Sequence, residues 1–547
     1  MQSIKDNNCP GWWSNSGKSP ENGIKAIRDA MLDVTQPVYL VSMNGDIAVG
    51  KGGAISIGSR LASVSNSYPL SGYAPPLHPE KLGDPSFKQR YNVRYAYIVG
   101  EMANGITSVK MVQEAGRSGL MGFFGAAGLT PSEIDSAICT LKESLGDIPF
   151  GFNLIHSPND PELESKVVDL YLKRKVHLVS ASAYIDLTLP LIYYRVKGIY
   201  LNNEGHAVCP NKIIAKVSRI ETARKFLSPP APKILAQLVE RKLISEKEAQ
   251  LAEFIPVAED LTAEADSGGH TDNRPAISLL PAMIALRNEL AEKYKYKQIP
   301  SVGLGGGIST PHSTAAAFAM GASYVLTGSI NQSCAEAGTS ETVRKMLSEA
   351  GQADVTMAPA ADMFEMGVKV QVLKRGTMFP FRAAKLYDIY SKYDCYDDIP
   401  LNERTILERD ILRNSFDEEW GQTKIFFANR DPIQIDRAEK NPKHMMALVF
   451  RSYLGRSSNW AKDGDPARKI DYQIWCGPSM GAFNQWVKGS FLEKPENRKT
   501  VAVAMNLLFG AAVMTRVAWI SNQGIALPHE TINHSPMELS ELSKYIV

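Results

Sequence analysis

The sequence predicts a (β/α)8 barrel carrying a small β-rich leading unit, a helical insertion and a mostly helical C-terminal region. Three observations point there. Between residues 95 and 330, eight short apolar runs recur, each followed by a helical pattern. A glycine-rich loop follows the seventh run and a Gly-Ser pair the eighth, which is where phosphate binds in such barrels. The length of 547 residues exceeds what one core organises, so accessory regions must flank a large catalytic domain.

The leading unit covers residues 1–90. Its clearest element is VYLVSMNGDIAVG, residues 38–50, where two apolar runs flank Asn44-Gly45, a type I′ hairpin signal. The Pro/Gly-rich SGYAPPLHPEKLGDPSF then reads as an ordered connector. The barrel spans 91–340, with strands at 95–100, 121–127, 150–155, 176–182, 213–218, 260–265, 301–305 and 324–329. The alternation alone also permits an open doubly wound sheet. Residues 231–254 form an insertion with helical periodicity, and Ser245-x-x-Glu248 supplies a capping box for its second helix. From 341 to 547 the rhythm stops, and a separate, mostly helical region is expected. Its longest apolar run, residues 501–514, is too short for a bilayer and is followed by Arg516, so it reads as a buried core helix.

Lys+Arg 60 against Asp+Glu 58 leaves a net charge of +2, so no global field would draw the chain to nucleic acid or anionic lipid. Cys9, Cys139, Cys209, Cys334, Cys395 and Cys476 are widely spaced, with no CxxC pair, which argues against zinc and against a disulfide framework. The start MQSIKDNNCPGWW has no apolar stretch behind a basic segment. A reduced, cytoplasmic protein with no membrane span and no metal is the expectation.

The sharpest chemical feature runs from Gly303 to Ser329. Gly305, Gly306 and Gly307 let the backbone turn tightly and bring its N–H groups close to a ligand. Thr310 caps a helix whose first residue is Pro311 and whose end is Gly321. This is an anion cradle at a helix N-terminus, and Gly328-Ser329 supplies its second half. The dinucleotide fingerprint fails, because a GxGxxG starting at Gly303 meets Ile308 where its last glycine belongs.

The reacting centre is placed in AEADSGGHTDNRP, residues 263–275, at the mouth of the sixth strand. His270 is the candidate catalytic residue, since an imidazole hydrogen-bonds a carbonyl or exchanges a proton near neutral pH. Gly268 and Gly269 before it would let the chain pass close beneath a planar ligand. Lys216 ends the fifth strand, either as a charge at the mouth or as a solvated lysine.

VGEMANGI, FGFNLI, EADSGGH and GLGGGI with LTGS together resemble the nitronate monooxygenase and enoyl-acyl-carrier reductase superfamily of FMN barrels, over about 95–335. A closer likeness, to the PfaD-type trans-acting enoyl reductases of polyketide and polyunsaturated fatty-acid synthases, runs through LHPEKLGDPSF, YIVGEMANGI, ADSGGHTDNRP and KRGTMFPFRAAKLYDIY. It covers nearly the whole chain. The resemblance implies that Gly100, Met102 and Ala103 lie against a flavin ring with Asn153 close by. It implies too that Gly306, Gly307, Gly328 and Ser329 hold the FMN phosphate, that His270 is the active-site histidine, and that Lys216 stabilises the reduced ring. NADPH as reductant and an enoyl thioester on an acyl carrier protein follow from the same likeness, and a homodimer is compatible with it. A nitronate monooxygenase needs neither the leading unit nor the long helical region, and a catalytically silent flavin-containing synthase partner would not need His270. Residues 366–393 carry Lys369, Lys374, Arg375, Arg382, Lys385 and Lys392 against Asp388 alone, a local excess that reads either as a docking surface for an acidic carrier protein or as a solvated helix face.

Overall fold

In the computed structural model, which describes residues 10–15, 17–58, 66–157, 161–532 and 534–546, eight parallel strands close into a barrel. They are Tyr97–Val99, Met121–Phe124, Phe150–Ile155, Leu178–Ser182, Lys212–Val217, Asp260–Glu264, Val302–Gly305 and Val325–Thr327. Val325 pairs with Tyr97 and Ile98 with Met121, so the eighth strand lies beside the first and the open sheet is excluded. All eight fall where the apolar runs put them. The second ends three residues early, because the chain turns at Gly125, where a Cβ would sit 1.8 Å from the Met102 carbonyl oxygen.

The bottom of the barrel is plugged by the helix Pro85–Tyr91, whose Phe87 and Tyr91 pack with Ile98, Phe123, Leu178 and Tyr324 inside the strands. Asp260, fully buried at the start of the sixth strand, accepts from Tyr91 at 2.6 Å and pairs with Arg90. Burial pushes its carboxyl up to about 6 despite the guanidinium. Part of the expected connector is therefore structure: its first residues finish the strand Ser67–Ala74, and its last begin the plug.

The leading unit is a six-stranded antiparallel sheet, with the hairpin turning at Asn44 (φ 55°) and Gly45 (φ 89°) as the type I′ turn requires. The insertion is a helical hairpin, Pro232–Glu240 and Glu246–Ala252, with the Ser245/Glu248 box formed.

The C-terminal region is mostly helical but is not set apart from the barrel as expected. Val355–Pro359 and Lys369–Leu373 pair with each other, and the latter pairs with Gly269–His270 in the loop after the sixth barrel strand. The helix Thr500–Asn522 is long and apolar enough to cross a bilayer, yet 78% of its most apolar window is buried inside the protein. Leu507, Leu508 and Val513 belong to the same core as the barrel's Val99, Phe152 and Leu304. A segment apolar on every side must be wrapped, and no helix packs that way on its own. Its far end reaches the leading sheet, where Ile520 packs on Val38 and Leu40, and buried Arg516 donates to the carbonyls of Met31, Asp33 and Gln36.

Candidate active site

The strand C-termini open into a cavity of about 810 Å³ roofed by the helices Phe416–Arg430 and Pro442–Asp463. Gly100, Met102, Ala103, Asn153, Lys216, Gly268, Gly269, His270, Gly305, Gly306, Gly307, Gly328 and Ser329 all line it. The fold thus gathers residues that lie more than two hundred positions apart.

The cradle is built as the composition requires, with the two central glycines doing different things. Gly306 (φ 85°) turns where a Cβ would lie 2.6 Å from the Ala265 carbonyl oxygen, so it lets two loops touch. Gly307 (φ 75°) faces open space, so its bare backbone is what a ligand meets. Thr310 accepts from the Ser313 N–H at 3.2 Å and caps the helix Pro311–Ala319. Gly510 of the long C-terminal helix leaves room for this first turn, since a Cβ there would sit 2.5 Å from Pro311 Cγ. The Ser329 hydroxyl accepts from Gly477 N at 3.0 Å, fastening the second half of the cup to the C-terminal region.

His270 does not stand in a solvated loop. Gly269–His270 is a short strand, and between its C-terminal partner strands the chain carries Asp362, whose Oδ1 lies 3.2 Å from His270 Nε2. Burial alone would lower the His270 pKa, but the Asp362 carboxylate and its hydrogen bond carry it above the ordinary histidine value. Gly268 serves packing: a Cβ there would meet the Cys476 backbone at 2.8 Å, so the close approach it permits is to the C-terminal chain rather than to a planar ligand. Gln371 locks the loop, donating to Asp266 and to the Ser267 carbonyl, each at 2.8 Å.

Lys216 is not a solvated lysine, and its charge at the mouth is shared between two carboxylates. Its Nζ bridges Glu101 at 3.1 Å and Glu264 at 3.2 Å. Burial would disfavour its charge, but the two carboxylates hold its pKa well above the usual lysine value. Asn153 spends its amide nitrogen on Ser182 Oγ at 2.9 Å and the Ser180 carbonyl at 3.3 Å, leaving the amide oxygen for a ligand. Asp272 accepts twice from Arg219 at 2.9 Å, and these bonds with one from Ser218 hold its carboxyl down to about 2.

Four of the six cations in the basic stretch are paired with carboxylates from outside it. Arg375 faces Asp354 at 3.8 Å, Arg382 pairs with Asp471, and Lys385 and Lys392 share Glu403. Asp471 is shared with Arg413 and Arg468, and no ion pair is formed by Lys369 or Lys374 among the described residues, so the pairing reduces the local excess without cancelling it. Asp354, Asp471 and Glu403 are outside the window, so counting along it could not find them. Asp362, Glu101 and Glu264 were missed for a related reason: each reads as a surface carboxylate until the fold sets a cation or imidazole beside it. Cys139, Cys209, Cys334, Cys395 and Cys476 are free thiols, and Cys9 lies outside the described residues.

Comparison with known proteins agrees with this architecture. The family model "Nitronate monooxygenase" matches residues 87–389. A second, "[Acyl-carrier-protein] S-malonyltransferase, inserted helical domain", matches 393–472, the segment that includes most of the cavity roof and that sequence patterning did not distinguish. The polyketide biosynthesis protein PksE of Bacillus subtilis is 44% identical over 80% of this chain and 56% of its own length. One of the polyunsaturated fatty acid synthase subunits of a Thraustochytrium species is 44% identical over 81% of this chain and 30% of its own. The chain thus spans little more than half of one relative and under a third of the other. Among solved structures, the enoyl reductase domain of MlnA, from the macrolactin biosynthesis cluster of Bacillus amyloliquefaciens, is 39% identical with a TM-score of 0.76, covering 81% of this chain and 99% of that one. The chain belongs to the nitronate monooxygenase family of oxidoreductases and, within it, to the PfaD-type enoyl reductases.

Proposed function

We propose that the protein is a trans-acting, FMN-dependent enoyl reductase that uses NADPH to reduce the 2,3-double bond of an enoyl thioester carried by the acyl carrier protein of a polyketide or polyunsaturated fatty-acid synthase. The observation that carries the reading is one cavity holding both an open glycine cradle at a capped helix N-terminus and the His270–Asp362 pair. The residues fit the cofactor. The Gly307 backbone is bare toward the cavity, the Thr310-capped helix offers its positive end to a phosphate, and about 810 Å³ is ample for a flavin beside a substrate. Gly306, Gly307, Gly328 and Ser329 would hold the phosphate, and Gly100, Met102, Ala103 and Asn153 would border the ring. FMN, when bound, supplies hydride transfer between the nicotinamide and carbon.

The chain supplies the rest. His270, whose charged form Asp362 favours, donates a hydrogen bond to the thioester carbonyl, where negative charge develops. The helical roof keeps water from the mouth and offers the acyl chain a wall containing Phe426 and Phe427. The Glu101–Lys216–Glu264 cluster fixes a charged floor between the first, fifth and sixth strands. The testing experiment is anaerobic: the purified yellow protein is bleached by NADPH and recoloured by a carrier-bound 2-enoyl thioester. A colourless protein that cannot take up FMN overturns the cofactor, and a bleached protein that only oxygen recolours overturns the enoyl reductase.

A further inference from the structure

Reducing a conjugated double bond requires two contributions besides the hydride: polarisation of the carbonyl and a proton for the α-carbon. His270 serves the first in the proposed reaction, and its Nε2 is engaged by Asp362. Most ionisable groups around the cavity are committed elsewhere. Lys216 is tied to Glu101 and Glu264, Arg219 to Asp272, Arg451 to Glu365 and Arg456 to Glu419.

His156 is arranged differently. It follows the third barrel strand, three strands round from His270, and lines the same cavity. Its Nδ1 lies 3.3 Å from Glu164 Oε2, and the Glu164 side chain is 2% exposed. That carboxylate also accepts from Tyr184 OH at 3.0 Å and from Thr188 Oγ1, so its position is over-determined. The imidazole stacks on the Tyr184 ring, with centroids 5.2 Å apart and planes at 28°. With Nδ1 held by a buried carboxylate, the ring of this cavity-lining residue keeps Nε2 for another partner, the arrangement in which a histidine exchanges protons with a ligand. Nearby Asp186 is itself tied to Lys225 at 2.8 Å. A histidine needed only to buttress the helix Pro161–Lys173 would have no reason to border the cavity.

We propose that His156 donates the proton to the α-carbon and that Glu164 is its positioning residue, an inference that rests on the enoyl-reductase reading. The C2–C3 π bond breaks, C3 receives the hydride that the reduced cofactor supplies, and C2 receives the proton from His156 Nε2. The substrate gains two electrons, the cofactor loses two, and the neutral imidazole is recharged by a solvent proton.

The test uses NADPH-reduced holoprotein in D2O mixed anaerobically with crotonyl-N-acetylcysteamine. Parent protein places one deuteron on the α-carbon in a single configuration. His156→Gln keeps its flavin and its rate of bleaching by NADPH, but recolours about 100-fold more slowly or worse and gives both α-configurations. Glu164→Gln shows a smaller loss of rate with partial scrambling. His156→Asn carries the same comparison should the glutamine variant lose cofactor. Parent-like rate and a single configuration in the His156 variants overturn the proposal while leaving the enoyl-reductase reading intact. Failure of parent protein to recolour overturns both.

Discussion

At the scale of single residues, the cradle separates two ways a glycine can be required. Gly307→Val projects a side chain into the cavity at a positive φ that a β-branched residue adopts only under strain, so the folded protein should emerge without flavin and with a modestly lowered melting temperature. Gly306→Val adds to the same strain a Cβ driven into the Ala265 and Asp266 main chain and should lower thermal stability further. Flavin content and unfolding midpoints of the two variants separate these outcomes. The His270–Asp362 pair predicts a pH signature. The native His270 pKa is raised, so its stabilisation is complete below the unfolded value of about 6.5 and is lost as pH climbs through the raised one. Asp362→Asn should therefore cost more stability at about pH 6 than at about pH 9, and an NMR titration should find the His270 pKa lower in the variant. An equal cost at both pH values would show that the pair stays uncharged. His270 and the glycines were legible because their chemistry and spacing are local. Asp362 was not, since 92 residues separate it from the histidine it charges.

At the scale of elements, the cradle helix Pro311–Ala319 is held from two sides. Its Thr310 cap satisfies the Ser313 N–H, and Thr310→Ala should cost about 1 kcal/mol and weaken flavin retention together. Its first turn rests on Gly510, where leucine would overlap Pro311 and His534. Gly510→Leu should destabilise by about 1–3 kcal/mol and lower flavin affinity, although residue 510 belongs to the helix behind the cradle rather than to its loops. Equilibrium dialysis with FMN beside denaturant unfolding checks both. Sequence found this helix through Thr310-Pro311 and its end at Gly321, because capping chemistry is written in adjacent residues. It could not find the support. A run apolar but for Asn506, such as residues 501–514, announces burial and says nothing about which surface buries it.

At the scale of the molecule, the barrel, the long helix Thr500–Asn522 and the leading sheet share cores rather than meeting at thin interfaces, while the roof helices pack mainly in a core of their own that Ala461 links to the barrel's. Val99 and Leu304 of the barrel lie in one cluster with Leu507 and Val513, and the leading sheet's Leu40 packs on Ile520. Thermal unfolding should therefore give a single cooperative transition, and a chain ended after residue 340 should be insoluble instead of yielding a free barrel. Two resolved calorimetric peaks would contradict this. The boundary at 340 rests on where strand–helix alternation stops in the sequence. It misled as a place where packing stops, since periodicity records local structure and carries no information on contacts between distant segments.

The burial of Thr500–Asn522 against a helix completed two hundred residues earlier sets a timetable for synthesis. At about 5–20 residues per second, the surface around Pro311–Ala319 waits on the order of ten to forty seconds on the ribosome before its cover emerges. During that wait the nascent barrel presents an apolar face with nothing to lie against it, so yield should depend on the elongation rate and on holding chaperones far more than the finished protein's stability would suggest.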